Sequence, residues 1–137
     1  VNLAEKFISE AREIIGQNYG AEFLPKIAKR FTTKSKLAQE AHEAIRPTAA
    51  VRDPESLKDK LDPRQWRLYD LIWKRALACQ MTDAKMEATA ADIANDDKKY
   101  IFRATGNSIV FAGFLKIYSD IQKENLLPAM AEGEKLN

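Results

Sequence analysis

Cysteine is nearly absent from this sequence, because Cys79 is its only cysteine. One thiol can build neither a disulfide framework nor a cysteine metal site, and such scarcity is typical of a cytoplasmic protein. No apolar run approaches the roughly 20 residues that a helix needs to cross a bilayer, and no signal-peptide pattern is present. The sequence therefore predicts a cytoplasmic protein rather than a secreted scaffold or a membrane protein.

Histidine is equally scarce, and His42 stands alone. A single histidine without a second ligand at metal spacing does not make a zinc site, and no serine or cysteine nucleophile lies close to it in the sequence. Zinc enzymes and hydrolases with a catalytic triad are therefore excluded.

What the chain does contain is enough apolar material for one ordinary core or two small ones, with 45% hydrophobic residues among 137. The net charge is only +2, but residues 1–84 carry 15 Lys or Arg against 12 Asp or Glu, whereas residues 85–137 carry 7 against 8. An acid-free basic segment, Pro25 to Ala38, holds Lys26, Lys29, Arg30, Lys34 and Lys36. Its composition fits either phosphate contacts or a solvated loop.

The first residues have a helical period. Asn2 and Glu5 have the spacing of a capping box, and apolar residues then repeat at helical intervals as far as Ile15. We expect an amphipathic helix that ends between Gly16 and Gly20. A cap at the very start of the chain indicates a piece cut from a longer protein.

The next segments are less regular. Leu37 to Ile45 is rich in alanine and glutamate and predicts about two helical turns, which Pro47 ends. Ala49 to Lys60, with its proline and several charges, predicts a surface connection that contains a short helix.

A third helix is predicted by the strongest pattern in the chain. Asp62 can cap it, with Pro63 in the first turn, and it should continue to about Met81. Its wide apolar face consists of Trp66, Tyr69, Ile72, Trp73, Ala76 and Leu77. Because charged residues such as Arg67 and Lys74 fall on the opposite face, the tryptophans indicate a core stripe rather than a base-stacking surface.

After residue 84 the period changes from helical to alternating. Alternation on both sides of Thr105 to Ser108 predicts a hairpin that turns there, and Lys85 to Ile93 predicts a third strand. The expected fold is therefore α+β: a helical domain over residues 1–84 followed by an antiparallel β meander in residues 85–137, with few contacts across the junction.

The spacing of His42 and Arg46 suggests chemistry. On a helix, residues four apart project from one face, so the two side chains could grip one phosphate. A surface histidine paired with Glu40 or Glu43 is the other interpretation, and spacing alone favours it. If phosphate is the natural partner, replacing His42 or Arg46 with alanine should leave the melting temperature nearly unchanged.

A longer string around these residues adds a resemblance. Gln39 to Thr48, QEAHEAIRPT, resembles the signature that follows the active-site tyrosine in type IA DNA topoisomerases. Leu68 to Met81, LYDLIWKRALACQM, and Gly106 to Tyr118, GNSIVFAGFLKIY, resemble the next helix and strands of bacterial members in the same order. The resemblance covers nearly the whole chain.

Three details place the chain within that family. Glu43 and Arg46 stand where the topoisomerase III branch usually has a second histidine and lacks the arginine, so the chain resembles bacterial topoisomerase I more closely. Reverse gyrases share similar signatures. Ala112 departs from the aspartate that many relatives have before the glycine, in a strand that is not catalytic.

The resemblance implies an internal part of an enzyme that relaxes negatively supercoiled DNA without ATP. Such an enzyme cuts one strand through a 5'-phosphotyrosine link, passes another strand and reseals the cut. The tyrosine would precede Val1, and the magnesium-binding Toprim domain would lie earlier still, so this chain should hold no metal and be inactive alone. Residues 1–84 would form a helix-turn-helix-like DNA-handling domain, and residues 85–137 would begin the β-rich arch of the toroid.

The resemblance also implies roles for individual residues. His42 would donate a hydrogen bond to the scissile phosphate, and Arg46 would help to position the DNA backbone. Lys34 and Lys36 are further candidates for nonspecific phosphate contacts. The implied partner is DNA, mainly single-stranded, and the chain itself is expected to be a monomer found in the cytoplasm with the nucleoid.

Two other classes of function stay open. A non-enzymatic, helix-turn-helix-like DNA-binding module would need a recognition helix with exposed base-reading side chains, and the aromatic third helix argues against it. A protein interaction domain without a role in nucleic-acid binding is opposed only by the signature.

Overall fold

The computed structural model describes residues 2–31, 43–118, 127 and 130–135. Two α-helices, α1 (Glu5–Asn18) and α2 (Pro63–Ala78), precede an antiparallel hairpin of β1 (Lys85–Ala94) and β2 (Ile101–Phe111). Single 3-10 turns occupy Ala21–Phe23, Glu55–Leu57 and Gly113–Ile117. The predicted α+β class is confirmed. None of the helices in these ranges is long and apolar enough to span a membrane.

The start of α1 differs from the prediction. Its N-cap is Ala4, which supplies no side-chain cap, so the predicted capping box between Asn2 and Glu5 is wrong. Asn2 instead forms a parallel bridge with Glu43, and its carbonyl oxygen accepts the N–H of Ala44 at 2.9 Å. Because Asn2 is committed to this extended pairing, the helix can begin only after it.

The same bridge contradicts the end of the helix predicted for Leu37 to Ile45. Residues 37–42 lie outside the described residues, but Glu43 is extended and the chain from Ala44 to Pro47 is not helical. The helical spacing that was expected to bring His42 and Arg46 onto one face is therefore absent in the described part.

The cap of α2 is confirmed in full. The carboxylate of Asp62 accepts the N–H groups of Arg64 at 2.9 Å and Gln65 at 3.1 Å, while the Gln65 side chain accepts the N–H of Asp62 at 3.3 Å. Pro63 occupies the first helical position, where its missing N–H costs nothing.

The aromatic face of α2 attaches the preceding connection to the helix. Trp73 and Trp66 donate their indole N–H to the carbonyls of Ala50 at 2.9 Å and Pro54 at 2.8 Å. Ala50 and Pro54 are buried, whereas most of the other residues from 49 to 60 are exposed, and the 3-10 turn Glu55–Leu57 lies among them, as predicted for a surface connection with a short helix. The structural role predicted for the tryptophans is confirmed.

Within the described residues the sheet has two strands, not the three predicted, and the chain turns at a different place. Residues Thr105 to Ser108 run straight through β2, where Gly106 lies opposite Thr89. The turn is at Asn95, whose side-chain oxygen accepts the N–H of Tyr100 at 2.9 Å. An asparagine that bonds the backbone ahead of it favours a turn more strongly than the Gly106 region does.

The hydrophobic core contains residues from both sides of residue 84. Phe23, in the helical part, stacks on Phe111 with ring centroids 5.1 Å apart, and Ile117 is buried in the same cluster as Leu77. The predicted scarcity of contacts across this junction is therefore wrong, because the chain returns to the helices after β2. The division into domains at residues 1–84 and 85–137 stays a prediction.

Gly113 allows the chain to turn back towards the helices after β2. It has φ +48°, and a Cβ there would lie 2.5 Å from the nitrogen of Ala84 and closer still to the carbonyl oxygen of Asp83. We expect Gly113→Ala to lower the free energy of unfolding by more than the roughly 1 to 2 kcal/mol of the left-handed conformation alone. Gly133→Ala is the matched control, with φ +82° and open space around its Cβ. Equal urea midpoints for the two variants would contradict the close packing.

Candidate nucleic-acid interface

Four hydrogen bonds to protein groups hold the guanidinium of Arg46. Nε and Nη2 donate to the two carboxylate oxygens of Glu43, the second at 3.1 Å, and Nη1 donates to the carbonyls of Pro47 at 2.9 Å and Thr48 at 3.5 Å. Its central carbon lies 5.2 Å from the ring centroid of Phe7, in a cation–π contact. The expectation that alanine at Arg46 would leave the melting temperature unchanged assumed that Arg46 has no protein partner, and these contacts predict a loss of stability instead.

Glu43 connects Arg46 to the start of α1. Its Oε1 accepts the N–H of Ala4 at 2.6 Å, which satisfies one of the free backbone donors at this helix end. The bonds from the Arg46 side chain and then from the Ala4 backbone hold the pKa of the Glu43 carboxyl below its ordinary value. Glu43 is therefore a structural acid that fixes residues 43–46 against α1.

The basic segment reaches the same end of α1. Arg30 donates from Nε and Nη2 to the two carboxylate oxygens of Glu5, each at 2.9 Å. Lys29 donates to Asp83, and its carbonyl oxygen accepts the side-chain N–H of Gln80 at 3.1 Å. The chain on both sides of residues 32–42 is thus anchored at the first turn of α1.

Three of the predicted site residues, Lys34, Lys36 and His42, lie outside the described residues. Their roles stay predictions, and Arg46 alone of the four can be placed. Sequence reasoning missed that Glu5 and Glu43 organise the site. Glu43 and Arg46 have opposite charges and lie only three residues apart, so an ion pair between them could have been expected from the sequence. No local signal could have joined Glu5 to Arg30, because 25 residues separate them.

The tyrosines of the helical part are poorly suited to nucleophilic attack. Tyr69 donates its hydroxyl to the carbonyl of Arg52 at 2.6 Å, and burial raises the pKa of both Tyr69 and Tyr19. In the described ranges, no group of three histidine, cysteine, aspartate or glutamate residues is arranged to hold a metal ion.

Comparison with known proteins gives one consistent relationship. The DNA topoisomerase family model matches residues 1–137. Proteins named DNA topoisomerase 1 from Rickettsia felis, Helicobacter pylori and Xylella fastidiosa (strain 9a5c) are 42%, 43% and 44% identical to this chain, over 99% of its length. The chain spans only 17 to 18% of the length of these relatives. Full-length topoisomerase I from Thermotoga maritima has a similar structure, with a TM-score of 0.74 and 31% identity over 93% of this chain and 19% of that one.

The contacts of Arg46 generate a stability prediction. We expect Arg46→Ala to lower the free energy of unfolding by about 1 kcal/mol, because it removes several hydrogen bonds and leaves Glu43 without its cation. Arg67→Ala, at an exposed position of α2, is the control and should stay within about 0.5 kcal/mol of the wild type. Urea denaturation measures both, and equal effects would show that the Arg46 contacts contribute nothing.

The lowered pKa of Glu43 predicts a pH dependence. A carboxyl whose pKa is lower in the folded state stabilises the fold at neutral pH and loses that effect as the pH falls below the ordinary value near 4.5. Glu43→Gln should therefore be less stable than the wild type at pH 7, with the difference shrinking towards pH 3. Thermal melts across this range test it, with Glu87→Gln on β1 as the control for loss of one carboxylate. A difference that stays constant with pH would contradict the assignment.

Proposed function

We propose that this chain, which belongs to the DNA topoisomerase family, is the DNA-handling part of an ATP-independent type IA enzyme. That enzyme would relax negatively supercoiled DNA by cutting one strand through a 5'-phosphotyrosine link, passing another strand and resealing. The match over the whole chain at 42 to 44% identity to proteins named DNA topoisomerase 1 supports the proposal.

The chain on its own should not cut DNA. The hydroxyl of Tyr69 is committed to a carbonyl, and the raised pKa values of Tyr19 and Tyr69 leave little phenolate at neutral pH. The described ranges hold no group of three histidine, cysteine, aspartate or glutamate residues that could bind a metal ion. We therefore assign the nucleophile and Mg²⁺ to other parts of the enzyme, and no step here depends on the metal.

We assign His42 to the scissile phosphate. As a nucleophile attacks, negative charge builds on the non-bridging oxygens, and a hydrogen bond donated by His42 would stabilise it. The observation that carries this assignment is the anchoring of the next residue: Glu43 is bound to Ala4 and Arg46 at once. A hydrogen-bond donor next to a residue that is held at two points can be in position before the reaction begins, which electrostatic stabilisation requires.

Arg46 is assigned a positioning role rather than the direct grip on a phosphate that the sequence suggested. Because Nε and Nη2 already donate to the Glu43 carboxylate, a phosphate could bind both of these groups only by displacing that carboxylate. We therefore propose that Arg46 chiefly positions the chain around His42 and that a two-point contact with the DNA backbone requires such an exchange. Lys34 and Lys36 would add nonspecific phosphate contacts, with single-stranded DNA as the preferred partner and the chain as a monomer.

The test uses the full-length enzyme that contains this chain. We expect His42→Ala to slow single-strand cleavage by about tenfold to a thousandfold, with little change in DNA affinity at low salt, because the contact is made chiefly in the transition state. Lys99→Ala, in the loop of the hairpin, should cleave at the wild-type rate. The isolated 137-residue chain should leave a supercoiled plasmid unrelaxed in magnesium buffer.

Two outcomes would overturn the proposal. Wild-type cleavage by a correctly folded His42→Ala enzyme would remove His42 from the reaction. Relaxation of plasmid by a clean preparation of the isolated chain would show that the nucleophile lies within it.

A further inference from the structure

The side of α2 that faces away from the core carries arginines and leucines. The helix buries Trp73, Ala76 and Leu77 on its other side. Five exposed residues of the outward side, which we call the outer stripe, are Arg64, Arg67, Leu68, Leu71 and Arg75. Positions 64, 68, 71 and 75 lie alternately four and three residues apart, so these residues form one line along the helix.

Leu68 and Leu71 form the apolar centre of the outer stripe. They lie three residues apart, so they are neighbours on the helix surface, and their side chains are 59% and 55% exposed. A single exposed leucine needs no explanation, but neighbouring leucines make an apolar patch that gains free energy when another apolar surface covers it. The leucines therefore favour contact with a protein surface that is itself apolar.

The arginines give the outer stripe a charge of one sign. In the part of the chain that the structure describes, none of Arg64, Arg67 and Arg75 forms a salt bridge. The single acid of α2, Asp70, is paired with Lys74 at 2.8 Å. A surface that covers the leucines should therefore carry acids beside its apolar residues, because the arginines would otherwise face it without a partner.

An acidic amphipathic helix matches both the spacing and the charge of the outer stripe. Two helices pack along a seam of apolar residues that lie alternately three and four positions apart, and the charged residues beside the seam select the partner. A DNA backbone would use the arginines but would leave the leucines in water. A second copy of α2 would bring arginine against arginine in either orientation, and like charges oppose such a pair.

The parent protein is the nearest source of such a helix. The chain spans only 17 to 18% of the length of its relatives, so a parent of that length would hold most of its residues outside this chain. A helix on the same polypeptide is held at a high effective concentration, so even a short apolar seam can dock it.

We propose that the outer stripe of α2 is a docking surface that an acidic amphipathic helix from another part of the parent enzyme covers. Leu68 and Leu71 pack on the apolar side of that helix, and the three arginines pair with its acids. The inference rests on the proposed function, which makes this chain one part of a longer enzyme. It adds a contact between parts of that enzyme, on a different helix from the one that holds residues 43–46.

Hydroxyl-radical footprinting tests the inference, because the radical oxidises leucine side chains only where solvent reaches them. The full-length enzyme, without DNA, is compared with the isolated 137-residue chain. We expect Leu68 and Leu71 to be oxidised readily in the isolated chain and severalfold more slowly in the full-length enzyme.

Variants of the full-length enzyme test the charge of the partner. Arg67→Glu places an acid against the acids of the docked helix, so both leucines should be oxidised as fast as they are in the isolated chain. Arg67→Lys keeps the charge and should keep the protection. Lys60→Glu is the matched control, because Lys60 is an exposed cation that lies outside the outer stripe, and it should behave as the wild type does.

The outcomes separate this inference from the proposed function. Equal oxidation of the leucines in the isolated chain and in the full-length enzyme would overturn the docking surface and leave the role of His42 untouched. Protection that appears only with DNA would assign the outer stripe to DNA, and protection that grows with enzyme concentration would assign it to a second copy; either result overturns the acidic helix. Equal loss of protection in Arg67→Glu and Lys60→Glu would overturn the pairing of charges. Normal cleavage by His42→Ala in an enzyme whose leucines are protected would overturn the proposed role of His42 alone.

Discussion

The carboxylate of Glu43 ties the polar site to the apolar core. It accepts the N–H of Ala4 at the start of α1 and binds the guanidinium of Arg46, which in turn lies over the ring of Phe7, a residue only 1% exposed. Because a helix end leaves backbone donors without partners, an acid from a distant segment can supply what the local sequence does not. The position of residues 43–46 therefore depends on the helix, and the helix start depends on them.

The same kind of attachment recurs on α2. Trp66, Tyr69 and Trp73 each donate a polar hydrogen to a carbonyl in residues 50–54, and the rings of Tyr69 and Trp73 also pack in or against the hydrophobic core. Residues 50–54 are thus held in place without being part of a helix or a strand. The chain turns back at Gly113, which brings Ile117 into this core. The chain is therefore packed against the helices after β2 as well as before β1.

The sequence by itself determined those features whose causes are local. The cap at Asp62, the first-turn Pro63 and the aromatic face of α2 lie within a few residues of one another, so their pattern predicted the helix and its buried side correctly. The order of side chains in residues 39–48 identified the family for the same reason, since a signature is a local string. The class of fold followed from the change of period near residue 84.

Tertiary structure decided what depends on residues far apart in the chain. The pairing of Asn2 with Glu43 excludes both the predicted capping box and the predicted helix end. Backbone pairing between residues 41 positions apart takes the place of the local hydrogen bonds that were expected. Asn95, and not Gly106, became the turn because Asn95 bonds to Tyr100 while Gly106 faces Thr89 in the opposite strand.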